Sequence, residues 1–234
     1  MSTKYWAILP AAGSGSRFAS VLPKQYLPLL DKTVMQHSVD RICQLALAGC
    51  VVAIAAHDQT ANSLQFAEPQ LLHWVNGGQE RMDSVLSALN YLRPIAAEHD
   101  WILVHDVARP CILLNDLQRL LAELKADPVG GVLAVPVRDT LKLAQQQQVI
   151  KTISRANLWQ CQTPQMFRFG HLLRALESAQ QNGQVVTDEA SAIELLDLPV
   201  QLVSGSSSNI KITYPDDLGL ATAILQSQLD SNYS

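Results

Sequence analysis

Two cations, Arg17 and Lys24, stand seven positions apart in a segment that begins with an apolar run near the start of the chain. The segment reads WAILPAAGSGSRFASVLPKQYLPL over residues 6–29, and from Pro10 to Lys24 it contains no acidic residue. An arginine can bind phosphate oxygens through two hydrogen bonds, and a lysine adds a point charge. The segment is therefore a candidate site for a phosphate-bearing ligand.

Two glycines in this segment, Gly13 and Gly15, allow the backbone to turn tightly and to bring its N–H groups close to an anion. An ordinary strand-to-helix turn with solvated cations explains the same residues equally well. The segment lacks the Gly-Lys-Ser/Thr ending of a P-loop and the GxGxxG spacing of a dinucleotide site. The loop by itself thus leaves the nature of its ligand open.

A second candidate is the carboxylate of Asp106, in the segment VHDVARP at residues 104–110. Asp106 ends an apolar, strand-like run, where a carboxylate would face a ligand crevice and could hold Mg²⁺ for a triphosphate substrate. The alternative is a structural role, as a helix cap or as the ion-pair partner of Arg109. We interpret the neighbouring His105 as structural, because no second histidine stands at metal-ligand spacing.

Three weaker segments also place polar residues beside apolar ones. In NGGQERMDSV, Ser84 is predicted to lie in the first turn of a helix, near unpaired N–H groups. In NIKITYPDD, Ile210 and Ile212 are predicted to face one side of a strand and Lys211 the other. In VVTDEAS, Thr187 is predicted to cap a helix. Each pattern alone is equally typical of a purely structural role.

The net charge argues against two classes of partner. With a formal net charge of −4 and a pI of about 5.8, the 234-residue chain is not expected to bind nucleic acid or an anionic membrane surface. The apolar run at residues 45–56 is interrupted by Gly49 and is too short to span a membrane. The four cysteines form no CxxC pair, so we expect reduced thiols in or near the core of a cytoplasmic protein. They are Cys43, Cys50, Cys111 and Cys161.

Apolar runs alternate with helical patterns along the chain. Five runs are predicted to be strands, at residues 4–10, 50–56, 71–76, 101–106 and 130–137. Continuous apolar runs are typical of strands that are buried on both faces of a parallel sheet. We therefore predict an α/β fold, doubly wound around a mostly parallel sheet, whose ligands bind at the carboxyl ends of the strands.

Two of the intervening segments have clear helical features. In ERMDSVLSALNYL, an apolar stripe that includes Val85 and Leu89 recurs at helical spacing. In NDLQRLLAELKA, Asn115 is predicted to be the N-cap. These helices would cover the faces of the predicted sheet.

Residues 138–160 break this alternation. Two short strand-like pieces flank the polar run Gln145–Gln148, which predicts a hairpin with a solvated tip. A two-stranded hairpin is marginally stable alone in water, so we expect this arm to pack on another surface. No repeat or linker is found in the sequence, and we interpret residues 1–234 as one domain that carries the arm.

Taken together and in this order, the motifs resemble those of the 2-C-methyl-D-erythritol 4-phosphate cytidylyltransferases of the non-mevalonate isoprenoid pathway. The resemblance covers essentially the whole chain and rests on PAAGSGSRF, PKQYLPL, GGQERMDSV, VHDVARP, QTPQMF, TDEAS and NIKIT. It implies a Rossmann-like nucleotidyltransferase that combines CTP with a small polyol phosphate in the presence of Mg²⁺. The products would be 4-diphosphocytidyl-2-C-methyl-D-erythritol and pyrophosphate.

The resemblance also implies roles for individual residues. Arg17 and Lys24 match the family's catalytic cations, and Lys211 matches a third phosphate ligand of the catalytic set. Thr140 and Arg155, also in that set, match arm residues that reach the substrate phosphate of a neighbouring subunit in a homodimer. Asp106 would lie by the metal and the ribose. The CTP pocket would be formed by Pro10, Ala11, Ala12, Gly13, Gly15, Gly78 and Ser84. Further substrate-side positions are Arg109, Thr163 and Thr187.

One departure and two rival interpretations remain. Ser208 stands where the family usually has aspartate, which leaves open how a metal or Lys211 is oriented there. A ribitol 5-phosphate cytidylyltransferase would share the fold and cations, but those enzymes tend to have AGG where this chain has AAG at residues 11–13. A nucleotide-binding regulator without catalysis is disfavoured because the site cations and Asp106 occur together. With 234 residues, no fused cyclase domain is expected.

Overall fold

The computed structural model describes residues 2–13 and 22–231. Its central feature is a seven-stranded sheet with the strand order β11-β7-β10-β6-β1-β4-β5. The strands are β1 (Tyr5–Pro10), β4 (Gly49–Ile54), β5 (Leu72–Asn76), β6 (Trp101–Val104), β7 (Gly130–Pro136), β10 (Trp159–Arg168) and β11 (Gln201–Ser204). Two small hairpins are formed by β2 (Pro28–Leu29) with β3 (Lys32–Thr33), and by β8 (Leu141–Gln145) with β9 (Gln148–Ile153).

Helices cover both faces of the sheet. They are α1 (Val34–Ile42), α2 (Arg81–Leu92), α3 (Leu114–Leu124), α4 (Phe169–Gln181), α5 (Glu189–Glu194) and α6 (Asp216–Ser231). Residues of α1 and α3 share one hydrophobic cluster with the strands, and residues of α2, α4 and α5 share another on the opposite face. The predicted doubly wound α/β fold is therefore confirmed.

The five predicted strands are all present, and four of them consist mainly of residues buried in the sheet, whereas the edge strand β5 is only partly buried. In β1, Ala7 and Leu9 pack on the α1 and α3 side, while Trp6 and Ile8 pack on the other. Strand β1 pairs in parallel with β4 and β6, and β4 pairs in parallel with β5. Full burial of one large apolar side chain contributes roughly 1.5–3 kcal/mol, so this central strand stabilises both layers.

Strand β10 was not predicted from the sequence. It is antiparallel to both β6 and β7, and its buried positions include the polar residues Gln162 and Gln165. These amides are hydrogen bonded: Gln165 donates to Asp188 Oδ2 at 2.8 Å and accepts from Ala190 N at 2.8 Å. Because the partners come from distant parts of the chain, no local apolar pattern indicates this strand.

Two helix caps and one strand differ from the predictions. Helix α3 begins after Leu113 rather than at Asn115. Helix α5 is capped by Asp188, whose side chain accepts from Ser191 N, and not by Thr187. The segment around Lys211 is not part of a strand. Its side chains still alternate between exposed and buried, since Lys211 is exposed and Ile212 is buried.

The arm is a hairpin inserted between β7 and β10. Its two strands pair antiparallel, and the turn residues Gln146 and Gln147 have positive φ values of 46° and 68°. Trp159, inside the predicted arm boundary, belongs to β10 instead. Most arm side chains are exposed, including the apolar Val149 and Ile150. The treatment of residues 1–234 as one domain with a dimerisation arm stays a prediction.

The cysteines differ in exposure, which predicts their reactivity. Cys43, Cys50 and Cys111 are buried, whereas Cys161 is exposed, and all four are free. Burial raises the pKa of the Cys111 thiol to about 12, so little reactive thiolate forms there. We expect a thiol reagent at neutral pH to label Cys161 alone in the native protein. Mass spectrometry of the labelled peptides checks this, and rapid native labelling of Cys111 would contradict the core packing.

None of the helices between residues 2 and 13 or 22 and 231 has the length and apolar content needed to cross a lipid bilayer.

Candidate active site

A cleft of about 460 Å³ opens at the carboxyl ends of the parallel strands. Its walls are the loop after β1, the turn and first residues of α2 after β5, and the segment that follows β6. Lys24, Gln25, Lys211 and Thr213 also line it. The other lining residues are Pro10, Ala11, Ala12, Gly13, Gly78, Gln79, Glu80, Arg81, Ser84, Asp106, Val107 and Ala108. The cleft lies where a doubly wound sheet is expected to bind its ligand.

Asp106 is the central charged group of the cleft. One carboxylate oxygen, Oδ1, accepts from Arg81 Nε at 2.8 Å, and the other, Oδ2, lies 2.7 Å from Lys211 Nζ. Arg109 Nε is farther away, at 4.0 Å from Oδ2. Burial alone would raise the pKa of Asp106, but the charges of Arg81 and Lys211 outweigh it and hold that pKa well below its usual range. The carboxylate therefore remains ionised.

Sequence reasoning missed Arg81, which links the cleft to helix α5. Besides Asp106, its guanidinium binds both oxygens of Glu189, with Nη1–Oε1 at 2.6 Å and Nη2–Oε2 at 2.9 Å. Glu189 is buried at the start of α5. Burial alone would lower the pKa of Arg81, but the charges of Glu189 and Asp106 raise it. Arg81 therefore fixes the Asp106 carboxylate against a second, buried anion.

The charge balance of the cleft is positive although the protein as a whole is acidic. The charged side chains among its described lining residues are three cations and two carboxylates. These are Lys24, Arg81 and Lys211, with Glu80 and Asp106. An excess of cations in a partly enclosed space attracts an anionic ligand such as a polyphosphate.

Lys24 begins a short 3₁₀ helix, Lys24–Tyr26, and lines the cleft. Its ammonium donates to the carbonyl oxygen of Ile212 at 2.9 Å. Ile212 directly follows Lys211, so this bond holds the two lysines on the same side of the cleft. Tyr26, at the end of the short helix, donates its hydroxyl to Asp58.

The wall after β5 is built by close packing. A Cβ atom at Gly78 would lie 2.2 Å from Asp83 Cβ, and one at Gly77 would lie 2.5 Å from Ala12 Cβ. Ser84, buried in the first turn of α2 as predicted, accepts from Gly78 N at 3.1 Å. The two glycines are thus required by contacts within the protein. By contrast, no atom of the described residues would lie within 4 Å of a Cβ at Gly13.

Behind Asp106 lies a buried hydrogen-bond network. The backbone N–H of Asp106 donates to Thr163 Oγ1 at 3.0 Å, and that oxygen lies 3.1 Å from His105 Nδ1. His105 Nε2 lies 3.1 Å from the carbonyl oxygen of Arg109. Burial lowers the pKa of His105 to about 4, so it is neutral near pH 7. This agrees with the structural interpretation of His105.

Arg109 and the loop before Lys211 close the back of this network. Arg109 Nη1 donates to the carbonyl oxygen of Asn209 at 2.6 Å, and Asn209 donates to the carbonyl oxygen of Thr163 at 2.9 Å. Among the described residues, Arg109 Nε and Asn209 Oδ1 are buried without a hydrogen-bond partner. Ser208 lies in the preceding turn, where its carbonyl accepts from Ile210 N at 2.8 Å.

The remaining predicted residues lie away from this cleft or outside the described residues. Thr140 and Arg155 are exposed at the base of the arm, where Arg155 donates to the carbonyl of Arg138. Thr187 is exposed just before α5. Arg17 and Gly15 fall within residues 14–21, which are not described. Thr163 is buried behind Asp106 and does not line the cleft.

The cleft could hold a metal ion only together with a ligand. No cluster of three or more candidate metal-ligand side chains occurs within residues 2–13 and 22–231. Asp106 offers one carboxylate, and each of its oxygens is already paired with a cation. Mg²⁺ is commonly held by one or two carboxylates plus substrate phosphates, and Asp106 fits that pattern if Lys211 moves to a phosphate.

Comparisons with known proteins agree on one family. The family model described as 2-C-methyl-D-erythritol 4-phosphate cytidylyltransferase matches residues 5–227. A protein of that name from Acinetobacter baumannii (strain AYE) is 53% identical over 227 residues, which cover 97% of this chain and 95% of that protein. One from Pseudomonas putida (strain KT2440) is 51% identical over 92% of each chain.

Solved structures give the same result. A crystal structure of 4-diphosphocytidyl-2C-methyl-D-erythritol synthase has a TM-score of 0.85 and 38% identity, covering 96% of this chain and all of that one. The cytidylyltransferase of Francisella tularensis has a TM-score of 0.84 and 35% identity, covering 95% of this chain and all of that one. The resemblance found in the sequence is thus confirmed, as is the assignment to CTP-dependent nucleotidyltransferases. The chain belongs to the 2-C-methyl-D-erythritol 4-phosphate cytidylyltransferase family.

Proposed function

We propose that this chain transfers the cytidylyl group of CTP to 2-C-methyl-D-erythritol 4-phosphate. A phosphate oxygen of the acceptor attacks the α-phosphorus of CTP, and the bond from that phosphorus to the bridging β-phosphate oxygen breaks. The products are 4-diphosphocytidyl-2-C-methyl-D-erythritol and pyrophosphate. The observation that carries the proposal is the cleft lined by Lys24, Arg81 and Lys211 together with Pro10, Ala11, Ala12, Gly13 and Gly78, in a chain of this family.

The cations of the cleft suit this chemistry. Attack at the α-phosphorus builds negative charge on its equatorial oxygens, and preorganised positive groups aimed at developing charge are usually the largest catalytic term. We assign this role to Lys24 and to Arg17, and we assign Lys211 to a substrate phosphate. The bond from Lys24 Nζ to the Ile212 carbonyl supports a joint role, because it holds both lysines on one side of the cleft.

The nucleotide side is assigned to the residues whose backbone lines the cleft after β1 and β5. Pro10 to Gly13 and Gly78 present peptide groups there, and Ser84 fixes the Gly78 peptide through its 3.1 Å hydrogen bond. Peptide donors and acceptors in fixed positions can read the edge of a cytosine. Gly15, in the undescribed segment, is assigned to the same pocket on the resemblance alone.

Mg²⁺ is part of the proposal. Asp106 would supply the protein carboxylate, and the triphosphate would supply the other oxygens. When bound, such an ion neutralises phosphate charge. The protein's own contribution is to keep Asp106 ionised and oriented, through Arg81 on Oδ1 and the buried Glu189 behind it.

The acceptor side is assigned to Arg109, Thr163 and Thr187 within one subunit, and to Thr140 and Arg155 of a neighbouring subunit. Thr140 and Arg155 are exposed and do not line the cleft of their own chain. The arm also exposes Leu143, Val149 and Ile150, apolar side chains that an isologous twofold dimer would cover. We propose such a homodimer. The free cysteines are typical of a reducing compartment, which supports the cytoplasm as the place of action.

The nucleotide choice gives a direct prediction. With 2-C-methyl-D-erythritol 4-phosphate and Mg²⁺ present, we expect pyrophosphate release with CTP and very little with ATP or GTP, because the proposed cytosine pocket should reject purines by size. A coupled pyrophosphate assay measures this. Comparable turnover with ATP or GTP would refute the assignment to a cytidylyltransferase.

The acceptor is tested in the same assay with ribitol 5-phosphate in place of 2-C-methyl-D-erythritol 4-phosphate. The family match favours the methylerythritol compound. Faster turnover with ribitol 5-phosphate would replace the proposed acceptor by its rival. Binding of CTP without any pyrophosphate release, with either acceptor, would instead point to a non-catalytic nucleotide-binding protein.

A further inference from the structure

The residue beside the proposed catalytic lysine makes an unusual pair of contacts. Gln25, in the short helix Lys24–Tyr26, donates from Nε2 to the carbonyl oxygen of Ala11 at 2.9 Å and to that of Gly13 at 3.2 Å. Gln25 is one of the residues that line the cleft, and it is only 3% exposed. Two carbonyl oxygens can be satisfied here only by an NH₂ group, so the orientation of the amide is determined.

These contacts fix the loop where it leaves the sheet. Ala11, the first residue after β1, still donates from its backbone N–H to the Ala53 carbonyl of β4 at 2.7 Å. The Ala11 carbonyl is held by Gln25 instead of a strand. In a planar trans peptide the C=O and the following N–H point in opposite directions, so this bond turns the N–H of Ala12 away from Gln25.

The N–H group of Ala12 makes no hydrogen bond to the described part of the chain. Within residues 2–13 and 22–231, the hydrogen bonds include no acceptor for Ala12 N–H. Ala12 and Gly13 line the cleft, and no atom of the described residues would lie within 4 Å of a Cβ at Gly13. A buried side chain therefore sets the direction of peptide donors and acceptors that line the cleft.

The neighbours of Gln25 bind other parts of the structure. Lys24 donates to the Ile212 carbonyl at 2.9 Å, beside Lys211. Tyr26 donates to Asp58, and burial, together with that bond, raises the pKa of the Tyr26 hydroxyl above its ordinary value, so it stays a donor. Three consecutive side chains thus connect the lysine pair, the loop after β1 and the Asp58 turn.

We propose that Gln25 is a positioning residue that sets nucleotide specificity, by holding the Ala11 and Gly13 carbonyls and thereby the loop that reads the cytosine edge. This inference rests on the proposed function, since it concerns the CTP side of the same cleft. The Gln25 side chain would then hold the loop after β1 in a fixed position relative to the short helix Lys24–Tyr26.

The main test replaces Gln25 by methionine, which has nearly the same length but no donor. We expect kcat/KM for CTP to fall by about 10²-fold, the loss typical of a misplacement near 1 Å in a reacting site. The preference for CTP over UTP should fall by about tenfold, the worth of one well-placed hydrogen bond. The KM for 2-C-methyl-D-erythritol 4-phosphate should stay the same, because Gln25 contacts the nucleotide side only.

A second variant and a matched control separate positioning from a general loss of stability. Gln25→Glu keeps the shape of the side chain but places a carboxylate, which has no NH₂ group, against the two carbonyl oxygens. If Gln25→Met does not fold, Gln25→Glu should show the same falls in kcat/KM for CTP and in the preference for CTP over UTP. Gln36→Glu is the control: Gln36 Nε2 also donates to a backbone carbonyl, that of Gln65 at 2.7 Å, but on the surface and outside the cleft. Gln36→Glu should keep wild-type kinetics.

The possible outcomes separate a failure of the Gln25 inference from a failure of the proposed function. If a folded Gln25 variant keeps the wild-type preference for CTP over UTP, the inference is overturned. This includes a variant with a lower melting temperature whose kcat/KM falls equally for both nucleotides. Wild-type protein that releases no pyrophosphate from CTP overturns the proposed function instead. In that case calorimetric titration of CTP alone decides the inference, which predicts weaker binding in Gln25→Met and unchanged binding in Gln36→Glu.

Discussion

The Lys24→Ala variant is expected to lower kcat by about 10²–10³-fold, the usual loss when one preorganised charge donor is removed from a reacting site. The developing charge at the α-phosphorus would lose one of its fixed cations. The KM values should change much less, because the interaction strengthens only as charge develops. Steady-state kinetics with CTP and 2-C-methyl-D-erythritol 4-phosphate measures both quantities.

The fold should survive this change. Lys24 is partly exposed and lies outside the hydrophobic core, so the melting temperature of the variant should stay close to that of the wild type. Lys32→Ala is a matched control, since Lys32 is ion-paired with Asp40 at 2.6 Å outside the cleft. A folded Lys24→Ala protein with wild-type kcat would remove Lys24 from the catalytic set.

Activity should reappear when two inactive subunits are combined. If Arg155 completes the site of the partner, a dimer of one Lys24→Ala chain and one Arg155→Ala chain contains one cleft with an intact Lys24 and an intact Arg155. The other cleft lacks both. Such a heterodimer should therefore regain about half of the wild-type activity, as expected for a twofold dimer with one working site of two.

The experiment needs a purified heterodimer. Co-expression with two different affinity tags isolates it, and pyrophosphate release measures its activity. Lys142→Ala is a matched arm control, because Lys142 bonds Thr152 within the hairpin at 2.7 Å and has no proposed substrate role. A verified heterodimer as inactive as both parents, with folded and dimeric mutants, would show that the arm does not supply a residue to its neighbour.

Local patterns in the sequence predicted the framework because they reflect burial. The apolar runs that became β1, β4, β5, β6 and β7 needed no distant partner to be recognised. Asp106 was identified for the same reason, since it follows such a run at the carboxyl edge of the sheet. Strand β10 was not predicted, because its buried glutamines depend on hydrogen-bond partners that only the fold brings together.

The site was predicted less completely than the framework. Arg81 lies in a segment that is typical of the start of a helix. Its partner Glu189 lies 108 positions away, so no spacing rule connects the two residues. Gln25 is an ordinary polar residue in sequence, and only the positions of the Ala11 and Gly13 carbonyls reveal its role. The resemblance alone suggested Thr140 and Arg155, whose proposed partner is a second chain.

The most direct test of the proposed reaction follows the oxygen atoms of the acceptor phosphate. The enzyme is given CTP, Mg²⁺ and 2-C-methyl-D-erythritol 4-phosphate labelled with oxygen-18 on its phosphate, and the products are examined by phosphorus NMR. Attack of that phosphate on the α-phosphorus predicts that all of the label remains in 4-diphosphocytidyl-2-C-methyl-D-erythritol and that the pyrophosphate is unlabelled. Label in pyrophosphate or in free phosphate, or no diphosphate product at all, would contradict the account.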